Sequence, residues 1–105
     1  MKKQISTKDD VLAVIEANED RIKALGVRKL GLFGSFAKQE QDPGSDIDFL
    51  VEFEKDKKTF DNFINLSFLL EDALARRVEL VTPESLSPYL SRYILDEVEY
   101  VSFFS

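Results

Sequence analysis

Between Asp46 and Phe53 the chain alternates with a period of two. Ile47, Phe49, Val51 and Phe53 fall on one side, and Asp46, Asp48, Leu50 and Glu52 on the other. An extended strand separates residues in this way, so the stretch predicts a β-strand with one apolar face to bury and one face carrying acid. Such a strand needs a sheet around it and a layer over its apolar side. Two further stretches supply partners. Arg28 to Phe33 is apolar toward its end and stops at Gly34, and Arg77 to Thr82 sets Val78 and Leu80 against Glu79 and Val81 before Pro83 closes it.

Helical periodicity supplies the covering layer. Ser6 or Thr7 can cap a first helix with Asp9 and Asp10 in its first turn, where the helix dipole favours negative charge. Val11, Val14, Ile15, Ile22 and Leu25 share one face of that helix, interrupted only by Asn18, and Gly26 is a natural stop. Gly34 to Lys38 reads as a turn opening a short helix, and Gln39 to Ser45, with Pro43 and Gly44, as a polar loop. After Lys55 to Lys58, Thr59 is placed to cap a helix through Phe60, Phe63, Ile64, Leu66, Leu70 and Leu74. Pro88 suits a first helical position, and Tyr89, Leu90, Tyr93, Ile94, Val98 and Val101 predict one final amphipathic helix. The order αβαβαβα predicts an α/β (α+β) fold, a small mixed sheet of about three strands flanked by helices. Residues 1–105 form one domain in this reading. A chain of 105 residues buries roughly two-thirds of its unfolded surface, and nine Phe and three Tyr supply much of that area.

Composition removes several chemistries. With no Cys there is no disulfide, thiolate zinc site or cysteine nucleophile, and with no His there is no imidazole base, Ser-His-Asp triad or histidine metal ligand. Any metal must sit on oxygen, which suits a hard cation such as Mg²⁺ or Mn²⁺. A net charge of −6 argues against bulk nucleic-acid binding. No apolar run approaches a membrane span, so the chain is expected in the cytoplasm, away from membranes.

Against that background three elements carry chemistry. Asp46 and Asp48 project from one strand face with Cα atoms about 6.6 Å apart. Neighbouring ionised carboxylates repel unless water or a cation neutralises them, and two metals about 3.5–4 Å apart form the clamp used for displacement at phosphorus. Taken alone, Asp-x-Asp is more often a solvated polar face. Gly34-Ser35 lets the backbone turn closely and offers amides and a hydroxyl to a phosphate, though an ordinary strand-to-helix turn has the same sequence. Glu79, inside the apolar run Val78-Glu79-Leu80-Val81, must face water or have a purpose, since an unpaired buried carboxylate is costly.

The run Gly34-Ser35-Phe36-Ala37, then Ser45-Asp46-Ile47-Asp48-Phe49-Leu50-Val51, then Val78-Glu79-Leu80-Val81-Thr82 resembles the DNA-polymerase-beta-like nucleotidyltransferase superfamily. Within it the chain resembles the minimal nucleotidyltransferase (MNT) antitoxins found with HEPN-domain partners. The resemblance extends to the closing helix Pro88-Tyr89-Leu90-Ser91-Arg92-Tyr93-Ile94. It implies that Gly34 and Ser35 hold nucleotide phosphates, that Asp46 and Asp48 bind metal, and that Glu79 is the third carboxylate, where the family commonly has Asp. It also implies ATP as substrate, two Mg²⁺ ions with Mn²⁺ as a substitute, and transfer of AMP to a hydroxyl, a tyrosine of a HEPN toxin. Lys38-Gln39 stands where relatives often carry Arg-Gly; Lys38, with Arg76 or Arg77, is available to balance phosphate charge.

Two rival functions use the same residues. One is an antitoxin that neutralises its partner by occlusion alone, catalytically weak because Glu79 is longer than Asp. Phe103 and Phe104 with Tyr89, Tyr93 and Tyr100 would then offer an aromatic contact surface, although core burial of most of these rings is the favoured expectation. The other is a transferase acting on a small-molecule hydroxyl, for which a chain this short has little room. Oligomeric state stays open.

Overall fold

Thr7 fixes where the chain first coils. Its hydroxyl accepts the Asp10 amide at 3.2 Å while the Asp10 carboxylate accepts the Thr7 amide at 3.1 Å, a capping box that satisfies two orphan donors. In this computed structural model, which describes residues 5–42 and 44–101, helix α1 runs Lys8–Ala17 and α2 runs Glu19–Ala24. The sequence predicts one helix here, and the break falls at the polar residue within its apolar stripe. The Asn18 side-chain amide donates back to the Val14 carbonyl at 2.9 Å, the kind of local bond with which Asn competes against helical pairing. Gly26, at φ +82°, then turns the chain into the sheet.

Strand β1 (Val27–Phe33) leads directly into a one-turn helix, α3 (Gly34–Lys38), and a loop carries the chain to β2 (Ile47–Phe53). The Thr59 hydroxyl accepts the Asn62 amide at 3.1 Å and starts α4 (Phe60–Leu74). Strand β3 (Val78–Val81) follows, then a 3₁₀ turn at Pro83–Ser85. Ser87 caps α5 (Pro88–Glu97), with Pro88 at its start. In the sheet, β1 and β2 are antiparallel, and β2 and β3 are parallel with α4 as the crossover.

The sheet has four strands, in the order β3-β2-β1-β4, where about three are expected from the sequence. The final helix stops at Glu97 instead of reaching Val101, and Glu99–Tyr100 forms β4 along the outer edge of β1. Val98, Tyr100 and Val101 are strand formers. The open edge of β1 gives them a ladder, with the Val101 amide donating to Leu30 O at 2.9 Å. Gly31 makes the approach possible, since a Cβ there would collide with Val98 Cγ2 and crowd the Tyr100 ring. Phe103, Phe104 and Pro43 lie outside the described residues.

One sheet face builds the core. Leu30 and Leu32 of β1 sit opposite Val51 and Phe49 of β2, and these four are fully buried with Ile47. Val11, Ile15 and Ile22 from the first two helices and Leu66, Leu70 and Leu74 from α4 are fully buried in the same cluster. The α4 leucines recur every four residues on one side of the helix, and each contributes about 1.5–3 kcal/mol by leaving water. The opposite face holds Asp48, Leu50 and Glu79. Of the aromatic residues assigned to the last helix, Tyr89 and Tyr93 are 84% and 56% exposed rather than core, and Tyr100 is partly buried. No described helix is long and apolar enough to cross a membrane.

Candidate active site

The site begins with a close approach of two strands. Phe33, the last residue of β1, is the register partner of Asp48 in β2. The next residue, Gly34, turns away at φ +76°, and a Cβ there would overlap Asp48 Oδ2. Glycine is required on two counts: a left-handed backbone that side chains disfavour, and a carboxylate packed where a methyl would sit. Ser35 follows in the first turn of α3. The Gly34-Ser35 turn and Asp48, fourteen residues apart in sequence, thus touch.

Glu79 reaches the same place from the other side. Parallel pairing of β2 with β3 puts it in register with Asp48, so the two carboxyl groups stand side by side on adjacent strands. Burial pushes the Asp48 carboxyl up to about 7, reinforced by the neighbouring Glu79 carboxyl and then by the charges of Asp46 and Glu97. Like charges this close disfavour the ionised form of Asp48. Asp46 lies one residue before β2 and is exposed, with the neighbouring Ile47 amide donating to Arg77 O at 3.0 Å.

Among the described residues, no three acidic side chains are gathered as a finished metal cage. The donor set nonetheless suits a hard divalent cation. It is all oxygen, and neighbouring carboxylates on paired strands repel unless a cation neutralises them.

Lys38 is held at the edge of this cluster. Its ammonium contacts Glu97 Oε2 at 3.0 Å and donates to the Tyr93 hydroxyl at 3.3 Å, with the Tyr93 ring centroid 5.4 Å away. The hydrogen bond to Glu97, then that to Tyr93, raises its pKa above the ordinary lysine value. Glu97 therefore belongs to the site, pairing with Lys38 and acting on Asp48. The sequence carries a partial signal, because Tyr93 and Glu97 are four apart in the last predicted helix and so share a face. Nothing in spacing ties that face to residue 48. Arg76 does not stand ready for phosphate: its guanidinium is spent on the backbone carbonyls of Ile5, Asp42 and Ser45. Gln39, where relatives often have Gly, ends α3 at φ +57°, the left-handed position that Gly occupies without strain.

A glycine turn pressed against a strand carboxylate, with a second carboxylate supplied in register by the adjacent parallel strand, defines a nucleotidyltransferase-type site. The chain belongs to the nucleotidyltransferase domain family, whose pattern it matches over residues 13–101, and within it to the minimal nucleotidyltransferases. It is 35% identical over 96 residues to the protein adenylyltransferase MntA of Thermococcus cleftensis, covering 90% of this chain and 96% of that protein. A solved structure described as a candidate minimal nucleotidyltransferase superposes with a TM-score of 0.77 at 32% identity, covering 89% of this chain and 94% of the other. A toxin-antitoxin crystal structure with AMP-PNP gives a TM-score of 0.63 at 28% identity, over 80% of this chain and 72% of that one. The Shewanella oneidensis complex of a tri-AMPylated HEPN toxin with its MNT antitoxin gives 0.55 at 25% identity, over 82% and 70%.

Proposed function

We propose that this chain acts as one cytoplasmic unit that transfers AMP from ATP to a tyrosine hydroxyl of a HEPN toxin, silencing it. The observation that carries this reading is the convergence of Gly34, Asp48 and Glu79. Likeness to an adenylyltransferase and to antitoxins bound to HEPN toxins supports the substrates.

The Gly34-Ser35 turn seats the triphosphate, with backbone amides and the Ser35 hydroxyl as donors. Lys38 is a mobile point charge that exchanges Glu97 for a phosphate oxygen. Asp46, Asp48 and Glu79 would hold two Mg²⁺ ions, or Mn²⁺ in their place, which when bound polarise the α-phosphate and neutralise departing pyrophosphate. Glu79, beside Asp48 on the adjacent strand, orients or deprotonates the tyrosine hydroxyl. The phenolic oxygen then bonds to the α-phosphorus, the bond to the bridging β-phosphate oxygen breaks, and pyrophosphate leaves. Gly34 brings the phosphate turn into direct contact with Asp48, so positioning is supplied before substrate arrives.

Incubating the protein with ATP labelled at the α-phosphate, Mg²⁺ and its HEPN partner tests this reading. Label on the partner that disappears with Asp48→Asn is the expected result. A second reading, neutralisation by occlusion, draws on the exposed side chains of α5, where Tyr89, Leu90 and Tyr93 are 84%, 49% and 56% exposed. Neutralisation that persists in Asp48→Asn without label would favour it.

A further inference from the structure

Arg76 occupies a singular place in the fold. It follows the left-handed end of α4 at Ala75, φ +54°, and precedes β3. Its Nη1 donates to Ile5 O at 3.0 Å, and its Nη2 donates to Ser45 O at 2.6 Å and Asp42 O at 3.3 Å. The guanidinium carbon lies 5.0 Å from the centroid of the Phe36 ring. Ser45 is the residue before Asp46, and Phe36 is the residue after Ser35.

We infer that Arg76 is the positioning residue that sets Asp46 relative to the Gly34-Ser35 turn; the inference rests on the nucleotidyltransferase reading above. Asp48 and Glu79 are fixed by strand register. Asp46 is not, because it stands outside β2 at the end of a loop. That loop has its own bonds: the Asp42 carbonyl accepts the Ser45 amide at 3.0 Å, and the Ser45 hydroxyl accepts the Asp42 amide at 2.9 Å. These hold its shape and leave its orientation to other contacts. The Arg76 fork supplies orientation by gripping Asp42 and Ser45, alongside the bond from Gln41 Nε2 to Ser6 O at 2.8 Å, while its flat face packs on Phe36 of α3. One planar group thereby references the metal-binding loop and the phosphate-binding helix to each other. Lysine cannot do this, because an ammonium has neither a planar fork nor a stacking face.

The test compares Arg76→Lys and Arg76→Gln with the native chain and with Ile15→Val, a core change that lowers stability without touching the site. Mn²⁺ binding in the presence of ATP is followed by loss of the free-ion EPR signal. Partners that orient metal ligands typically carry about 10–100-fold in affinity, so both Arg76 variants should bind Mn²⁺ at least about tenfold more weakly, with Ile15→Val close to native. Native affinity in Arg76→Lys, or an equal loss in Ile15→Val, overturns the inference. Amide hydrogen exchange provides a reading independent of metal. In Arg76→Lys the Ser45 and Ile47 amides should exchange faster while that of Leu30 in β1 holds, and unchanged Ser45 and Ile47 exchange also overturns it. If Arg76→Gln does not fold, Arg76→Lys decides. If the native chain binds no Mn²⁺ with ATP, the functional reading fails, and the exchange data still judge the clamp.

Discussion

Residues 48 and 49 are neighbours on one strand and live in opposite environments. Phe49 points into the cluster built by α1, α2 and α4 and is fully buried. Asp48 points to the other face, is half-buried, and meets Gly34, Glu79 and the charge of Glu97. The first face is made of apolar groups that agree with one another. The second holds acids that would be more stable apart. A small sheet with both faces apolar would be easier to stabilise, so the acid face is where this fold gives up stability for chemistry.

Swapping either neighbour should separate the two roles most sharply. Phe49→Ala should cost about 3–5 kcal/mol, read as a lower urea midpoint, with activity falling as the fold is lost. Asp48→Asn should leave the fold intact, and at neutral pH somewhat more stable, while AMP transfer drops by at least about tenfold to a hundredfold. A melting temperature that falls in Asp48→Asn as far as in Phe49→Ala would erase the distinction between the faces.

Gly34→Ala comes next in size, since it strikes where the two faces meet. The left-handed backbone costs about 1–2 kcal/mol for a residue with a Cβ, and the methyl must also displace the Asp48 carboxylate. Loss of both stability and transfer is expected, measured by chemical unfolding and the label assay. A variant with native activity would mean that Asp48 does not work from its observed position.

What could be read from the sequence follows the same division. Apolar alternation places β2 within one residue of its observed start, Thr59 and Pro88 mark two helix starts correctly, and the choice left between Ser6 and Thr7 falls on Thr7. An acid misplaced in an apolar run marks Glu79 as a candidate, but only the parallel register brings it beside Asp48. Strand β4 was missed because Val98 and Val101 also continue the helical spacing of Tyr93 and Ile94. The choice between the two periods is made by the empty side of Gly31, a feature of β1 far away in sequence. Lys38 was legible as a cation near the turn. Its tie to Glu97 and the capture of Arg76 by loop carbonyls depend on tertiary contacts that have no sequence period.

The acid face should also give the metal-free protein a distinctive pH dependence. The folded chain holds the Asp48 proton up to about 7, whereas an unfolded aspartate releases its proton near about 3.9. Across that window the native state binds more protons, so this residue's contribution to stability is present at low pH and is lost as pH rises through about 7. Urea unfolding of native and Asp48→Asn chains, without divalent cations, should show the difference between them widening from about pH 4 to about pH 7 and flat above. A difference independent of pH would mean that Asp48 ionises as an ordinary surface acid.

The smallest expected effect is a gain, at positions belonging to neither face. Ala75 and Gln39 end α4 and α3 in left-handed backbone, at φ +54° and +57°, where glycine avoids the Cβ penalty. Replacing either by Gly relieves native-state strain of about 1–2 kcal/mol and is partly offset by the greater freedom of an unfolded glycine, about 0.4–1 kcal/mol. Ala75→Gly should therefore raise stability by roughly 0.5–1 kcal/mol. It should leave AMP transfer unchanged, because the Ala75 side chain is exposed and makes no part of the carboxylate cluster. Gln39→Gly should stabilise by a similar amount yet reach the site, since it frees the end of the short helix that carries Lys38. A change in the nucleotide concentration needed for half-maximal rate in Gln39→Gly, with none in Ala75→Gly, would show that the rigidity of α3 contributes to phosphate binding. Identical kinetics in the two would confine Gln39 to ending its helix.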